Sequence, residues 1–191
     1  MTIPNFITIG RLFLVPLIIW LLVSGEPALA FWVFIVAGVS DGVDGFIARQ
    51  FNQRSQLGTY LDPLADKALL VSIYVTFAIL GELPVWLAIL VVSRDLLIVS
   101  GVLLAGMLGR PIAMSPRIIS KTNTVAQILL ASIVLADQGF SLNLVDVTSA
   151  LVVLVGLLTL ASAGLYVVDW VRHMGTGEAA PGAPPSADTR P

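Results

Sequence analysis

Six apolar stretches fill most of the chain, each close to the ~20 residues that an α-helix needs to cross a hydrocarbon core. They cover about residues 7–25, 29–50, 59–81, 84–106, 120–137 and 145–171. The pattern predicts an all-α, polytopic integral membrane protein with six transmembrane helices. The first stretch reads as a span and not as a cleavable signal, because it has no basic leader and Arg11 interrupts it. Charge is scarce: 12% of the 191 residues are Asp, Glu, Lys or Arg, against about 25% in a soluble domain.

That scarcity narrows the chemistry. There is no cysteine, so disulfides, thiolate metal sites and thiol nucleophiles are excluded. A single histidine, His173, argues against zinc centres and His-based triads. A formal charge of −2 argues against nucleic acid as a partner. What remains is chemistry run by carboxylates, Arg, Lys and hydroxyls, a set that suits a hard, oxygen-liganded metal.

The few charges also set an orientation. The connections at 24–27, 81–84 and 137–146 carry only the acids Glu26, Glu82, Asp137 and Asp146. Arg49 and Arg54 flank the connection between the second and third stretches, and Arg110, Arg117 and Lys121 the one between the fourth and fifth. The positive-inside rule therefore predicts that both termini and the two basic connections are cytoplasmic, in a multi-pass protein of the cell (inner) membrane. Residues 1–173 form the membrane domain in this reading. Residues 174–191, rich in Gly, Pro, Ala and Ser, read as a disordered cytoplasmic tail.

Acids inside apolar spans are costly and by default mark function. The second and third stretches hold four: Asp41, Asp44, Asp62 and Asp66. Asp41, Asp44, Gly45 and Ala48 fall on one helical stripe, and Gly58, Asp62 and Asp66 on another. A short connection makes the two helices antiparallel, so the stripes can face each other near the cytoplasmic side. Four carboxylates in one low-dielectric cleft repel strongly and must take up protons or cations. Axial separations of ~4.5 Å and ~6 Å within the pairs suit one or two Mg²⁺ or Mn²⁺ ions. Gly42, Gly45 and Gly58 remove side chains on or beside the stripes, so a flat base or a diphosphate can approach the backbone. A cation-coupled transporter is the competing class, since transporters also bury acids.

The pattern Asp41-x2-Asp44-Gly45-x2-Ala48-Arg49-x8-Gly58-x3-Asp62-x3-Asp66 resembles the signature of the CDP-alcohol phosphotransferase family at every fixed position. The resemblance extends from residues 3–11 through the sixth stretch. It implies a six-helix membrane enzyme, a homodimer, with its active site open to the cytoplasm. Such enzymes transfer a substituted phosphate from a CDP-linked donor to an alcohol and release CMP. It also implies that Asp41, Asp44, Asp62 and Asp66 hold a pair of divalent ions, and that Asp66 is the general base for the acceptor hydroxyl. Gly45, Ala48, Arg49 and Gly58 would line the cytidine and diphosphate site. Thr8 and Arg11, on one face of the first stretch, can reach the nucleotide or phosphate.

The segments at 3–16 and 61–70 resemble the branch whose donor is CDP-diacylglycerol and whose acceptor is phosphatidylglycerol or glycerol 3-phosphate. SRDLLI (93–98) and ISKTNTVAQ (119–127) resemble the members that use phosphatidylglycerol and make cardiolipin, which is the leading expectation. A glycerol 3-phosphate acceptor instead suits the basic residues Arg94, Arg110, Arg117 and Lys121, since Arg forks match phosphate geometry. Arg110, Arg117 and Lys121 can equally be topogenic charges of one loop, and Arg94–Asp95 an internal ion pair. Lys67 reads as a charge partner for the acids, or as a phosphate contact. Pro16 and Pro84 kink or start helices. Trp20, Trp32, Trp86 and Trp170 read as an interfacial belt.

Overall fold

The computed structural model describes the backbone of residues 3–50, 56–107 and 118–175, and the side chains of residues 10, 12–40, 67–100 and 118–168. The described residues form six helices and no strand: α1 (Ile3–Val23), α2 (Pro27–Gln50), α3 (Gln56–Leu80), α4 (Val85–Met107), α5 (Ile118–Phe140) and α6 (Val145–Gly175). Each apolar stretch is a helix. The ends differ where helical backbone outlasts apolar content: α1 begins at Ile3 and α6 runs on to Gly175. Residues 176–191, most of the expected tail, lie outside the described residues, as does the side chain of Trp170.

Three reversals are tight, and backbone chemistry makes them so. After α1, Gly25 takes φ 77°; its N–H donates to the Leu22 carbonyl (3.2 Å), and the Glu26 N–H reaches the Leu21 carbonyl (2.9 Å). After α3, Gly81 takes φ 80°, its N–H donates to Ala78, and Glu82 N–H reaches the Phe77 carbonyl at 2.9 Å. Both are Schellman caps, which satisfy the last carbonyls with a left-handed glycine. Pro84 directly precedes α4, where its missing N–H costs nothing. Between α5 and α6, the Asp137 carboxylate accepts the Leu144 N–H at 2.9 Å and closes the turn. Pro16 lies inside α1.

The helices pack in the order α1, α2, α5, α6, α4, α3 and back to α1, with α3 also reaching α5 across the interior. Large residues fill the middle: Ile18 of α1, Phe34 of α2, Tyr74 and Phe77 of α3, Leu87 and Val91 of α4, Leu130 and Leu135 of α5, and Val155 of α6. The outside is as apolar as the inside, with Phe13, Trp20, Trp32, Ile79, Trp86, Ile89 and Leu157 all more than half exposed. Helices apolar all round belong in lipid or in a large core. By length and composition, Ile118–Phe140 and Val145–Val168 can cross a membrane.

One close approach depends on a missing side chain. A Cβ on Gly139 would lie 2.7 Å from the Cα and 2.9 Å from the N of Ala28, so α5 touches the start of α2 backbone to backbone. Gly139→Val is expected to destabilise the fold by ~1–3 kcal/mol, read as a lower Tm in detergent. An unchanged Tm would mean that the two helices do not meet there.

Candidate functional site

The described end of the polar machinery begins on α3 at Lys67, the residue after Asp66. Lys67 Nζ donates to Asp95 Oδ1 of α4 at 2.8 Å, and the same oxygen accepts Arg94 Nη1 at 2.7 Å. The rest of the Arg94 guanidinium is also engaged. Nη2 donates to Ser120 Oγ of α5 (2.6 Å) and to Ser162 Oγ of α6 (2.8 Å), Nε lies 3.2 Å from Ser162 Oγ, and the group sits 5.8 Å from the ring centre of Tyr166. The side chains of Arg94 and Asp95 are 1% and 4% exposed, whereas that of Lys67 is 29% exposed.

Two cations on one carboxylate leave the group with one net positive charge. Burying it away from water is tolerable only because each charge meets an opposite charge or a hydroxyl. The same contacts tie α3, α4, α5 and α6 together at a single level. Asp95 Oδ2 has no hydrogen-bond partner among the described residues. Below this level the seam continues: Thr159 Oγ1 of α6 donates to Asn123 Oδ1 of α5 (3.0 Å), and the Tyr74 hydroxyl of α3 donates to the Gln127 carbonyl (3.0 Å).

The internal Arg94–Asp95 ion pair expected from the sequence is therefore present. Lys67 does pair with an acid, and among the described side chains that acid is Asp95, which the sequence reading had not assigned to it. Ser120, Asn123, Gln127, Thr159, Ser162 and Tyr166 were not singled out, although their signal was in the sequence. Ser120, Asn123 and Gln127 recur at i, i+3, i+7 on an apolar helix, and so do Thr159, Ser162 and Tyr166.

The remaining predicted site residues distribute as follows. Asp41, Gly42, Asp44, Gly45, Ala48 and Arg49 stand on the last three turns of α2, Gly58, Asp62 and Asp66 on the first turns of α3, and Thr8 and Arg11 on α1. The side chains of all these residues lie outside the described residues, and Arg110 and Arg117 lie outside them altogether. Lys121 is exposed on the first turn of α5.

Among the described residues, α2 and α3 make no close backbone approach to each other; α1 and α5 each touch both. A cavity of ≈ 360 Å³ opens between α2, α3 and α5, lined by Phe34, Gly38, Leu69, Leu70, Thr124 and Ile128 among others. Its wall at Gly38 and Val39 runs along α2 toward Asp41, and its wall at Leu69 runs back along α3 toward Asp66. The cavity is apolar apart from the hydroxyls of Thr124 and Ser132.

Comparison with known proteins bears on this arrangement. A family model described as CDP-alcohol phosphatidyltransferase matches residues 1–168. A probable CMP-forming cardiolipin synthase of Drosophila melanogaster is 37% identical over 91% of this chain and 58% of its own length. The human CMP-forming cardiolipin synthase is 35% identical over 73% of this chain and 52% of its own. A chloroplastic CDP-diacylglycerol–glycerol-3-phosphate 3-phosphatidyltransferase of rice is 35% identical over 73% of this chain and 48% of its own. The chain thus spans about half the length of these relatives.

Removing Asp95 would leave the buried Arg94 guanidinium without an opposite charge among the described residues. Asp95→Ala is expected to cost ~3–5 kcal/mol of stability, the scale for breaking a buried pair. Lys67→Met should cost clearly less, because that ammonium keeps access to water. Thermal unfolding in detergent compares the two, and equal losses would count against the charge group as a structural joint.

Proposed function

This chain belongs to the CDP-alcohol phosphatidyltransferase family, and from that premise we propose that it moves a phosphatidyl group from CDP-diacylglycerol to a glycerol-type alcohol. CMP leaves, and the proposed acceptor is phosphatidylglycerol, giving cardiolipin. The observation that carries this reading is the eight-residue signature from Asp41 to Asp66. Its acids fall one turn apart on α2 and one turn apart on α3, two successive helices that both pack on α1. The apolar lining of the cavity between α2, α3 and α5 suits contact with hydrocarbon, which a lipid donor and a lipid acceptor both carry. The relatives named cardiolipin synthase add support.

In the proposed chemistry the acceptor hydroxyl oxygen attacks the phosphatidyl phosphorus, the bond from that phosphorus to the CMP oxygen breaks, and Asp66 takes the hydroxyl proton. The oxygen-only donor set of Asp41, Asp44, Asp62 and Asp66 fits Mg²⁺ or Mn²⁺. Bound there, such ions neutralise the diphosphate and the charge gathering on departing CMP. Gly42, Gly45 and Gly58 leave room at the helix backbones for the nucleotide, and Ala48, Arg49, Thr8 and Arg11 flank it. Arg110, Arg117 and Lys121 are the cations proposed for an acceptor phosphate, with Arg94 buried on α4 before them in sequence. In the arrangement described, the donors of Arg94 are engaged within the protein. The wider proposal keeps six membrane spans, cytoplasmic termini, an active site facing the cytoplasm, a homodimer and a tail beyond α6.

Glycerol 3-phosphate is the second reading for the acceptor, favoured by the basic residues and by the rice relative. Purified protein with CDP-diacylglycerol and a divalent ion should release CMP when phosphatidylglycerol is the acceptor. Release with glycerol 3-phosphate alone selects the second reading. No release with either, together with cation flux in vesicles, selects a transporter.

Asp41→Asn or Asp62→Asn should lower CMP release by at least ~100-fold, the scale of losing one electrostatic stabiliser of the transition state. Chelation with EDTA should stop turnover, and added Mg²⁺ or Mn²⁺ should restore it. Full activity in either variant would mean that the acids do not hold the ions.

A further inference from the structure

Two amide side chains in the middle of the bundle have polar atoms with no hydrogen-bond partner among the described residues. Asn123 and Gln127 stand one turn apart on α5 and are fully buried. Asn123 Oδ1 accepts the Thr159 hydroxyl, but among the described residues Asn123 Nδ2, Gln127 Nε2 and Gln127 Oε1 have no hydrogen-bond partner. Around them the core is apolar, with Ala126, Leu130 and Ala131 of α5 and Val155 of α6. A buried amide stripped of water and left unpaired is strongly unfavourable, and native interiors rarely keep one.

We propose that Asn123 and Gln127 form an internal hydration site between α3, α5 and α6, occupied by ordered water. The chemistry of the unpartnered atoms selects this occupant. They comprise two NH₂ donors and one carbonyl acceptor. An anion would be repelled by the carbonyl and finds no cationic side chain among these two residues and their partners Thr159 and Tyr74. A cation would meet two NH₂ groups and no carboxylate. Water both donates and accepts, and it settles in buried sites that offer two to four polar partners.

Spacing and assignment agree with this. Side chains at i and i+4 start ~5–6 Å apart, a separation that one water can bridge. Exchanging O and N of the Asn123 amide leaves one NH₂ donor and two carbonyl acceptors unpartnered, still a mixed set without a carboxylate or an ammonium, which water satisfies by donating and accepting. The site also has a structural consequence. The Tyr74 hydroxyl donates to the main-chain carbonyl of Gln127, and Thr159 donates to Asn123, so water on the amide of Gln127 lies at the contact between α3, which carries Asp62 and Asp66, and the α5–α6 pair.

The test uses the full chain in detergent or nanodiscs and is independent of any phosphatidyl transfer. Radiolytic hydroxyl-radical footprinting labels buried side chains next to bound water. Tyr74 and Phe77 lie on the same helix and are equally buried, so Phe77 is the dry control. Tyr74 should be oxidised several-fold faster than Phe77, and Gln127→Met should abolish the excess. Equal rates in the wild type, or an excess that survives Gln127→Met, would overturn the proposal. If Gln127→Met does not fold, the wild-type comparison alone decides.

Discussion

Asp95 holds two cations on one buried oxygen, and the positions of four helices follow from how that charge is compensated. Its partners come from α3 and from α4 itself, and Arg94 extends the link to hydroxyls on α5 and α6. An apolar bundle has no strong preference for helix order or register, because Leu packs against Leu almost anywhere and lipid is no worse a neighbour. Charges and hydroxyls do have such a preference. A guanidinium in that interior has few acceptable arrangements, so a polar level fixes what the apolar surface leaves free.

The proposed site adjoins the same level in sequence. Lys67 follows Asp66 directly, so the contact that anchors Lys67 to α4 also anchors the turn of α3 at which the signature ends. The other half of the signature is on α2, and α1 and α5 bridge the two helices. Among the described residues α2 and α3 make no close backbone approach, and the cavity between them is framed by α5.

Much of the fold was legible in advance because membrane-length helices announce themselves. Six apolar stretches marked six helices, and the short connections at 24–27 and 81–84, with Pro84, marked two of the reversals. The ends were less legible. The helix at Ile3 and the extension of α6 to Gly175 rest on backbone hydrogen bonding, which continues through residues that an apolar count rejects. The acids of the signature were legible for a different reason: charge in an apolar run stands out whatever surrounds it. The serine, asparagine, glutamine and threonine positions on α5 and α6 did not stand out, since such residues also occur in membrane helices merely bonded to their own backbone, as Thr124 and Ser132 are.

Local patterning by itself determined the helices, their turns and the two runs that carry the acids, because each of these is set by residues within a few turns of one another. Pairing was decided only by the tertiary structure. Lys67 and Asp95 are 28 positions apart, and Arg94 and Ser162 are 68 apart. No periodicity reports which of several buried acids or hydroxyls a cation will meet. That choice is made when helices from opposite ends of the chain come together and every charge shut away from water must find its complement.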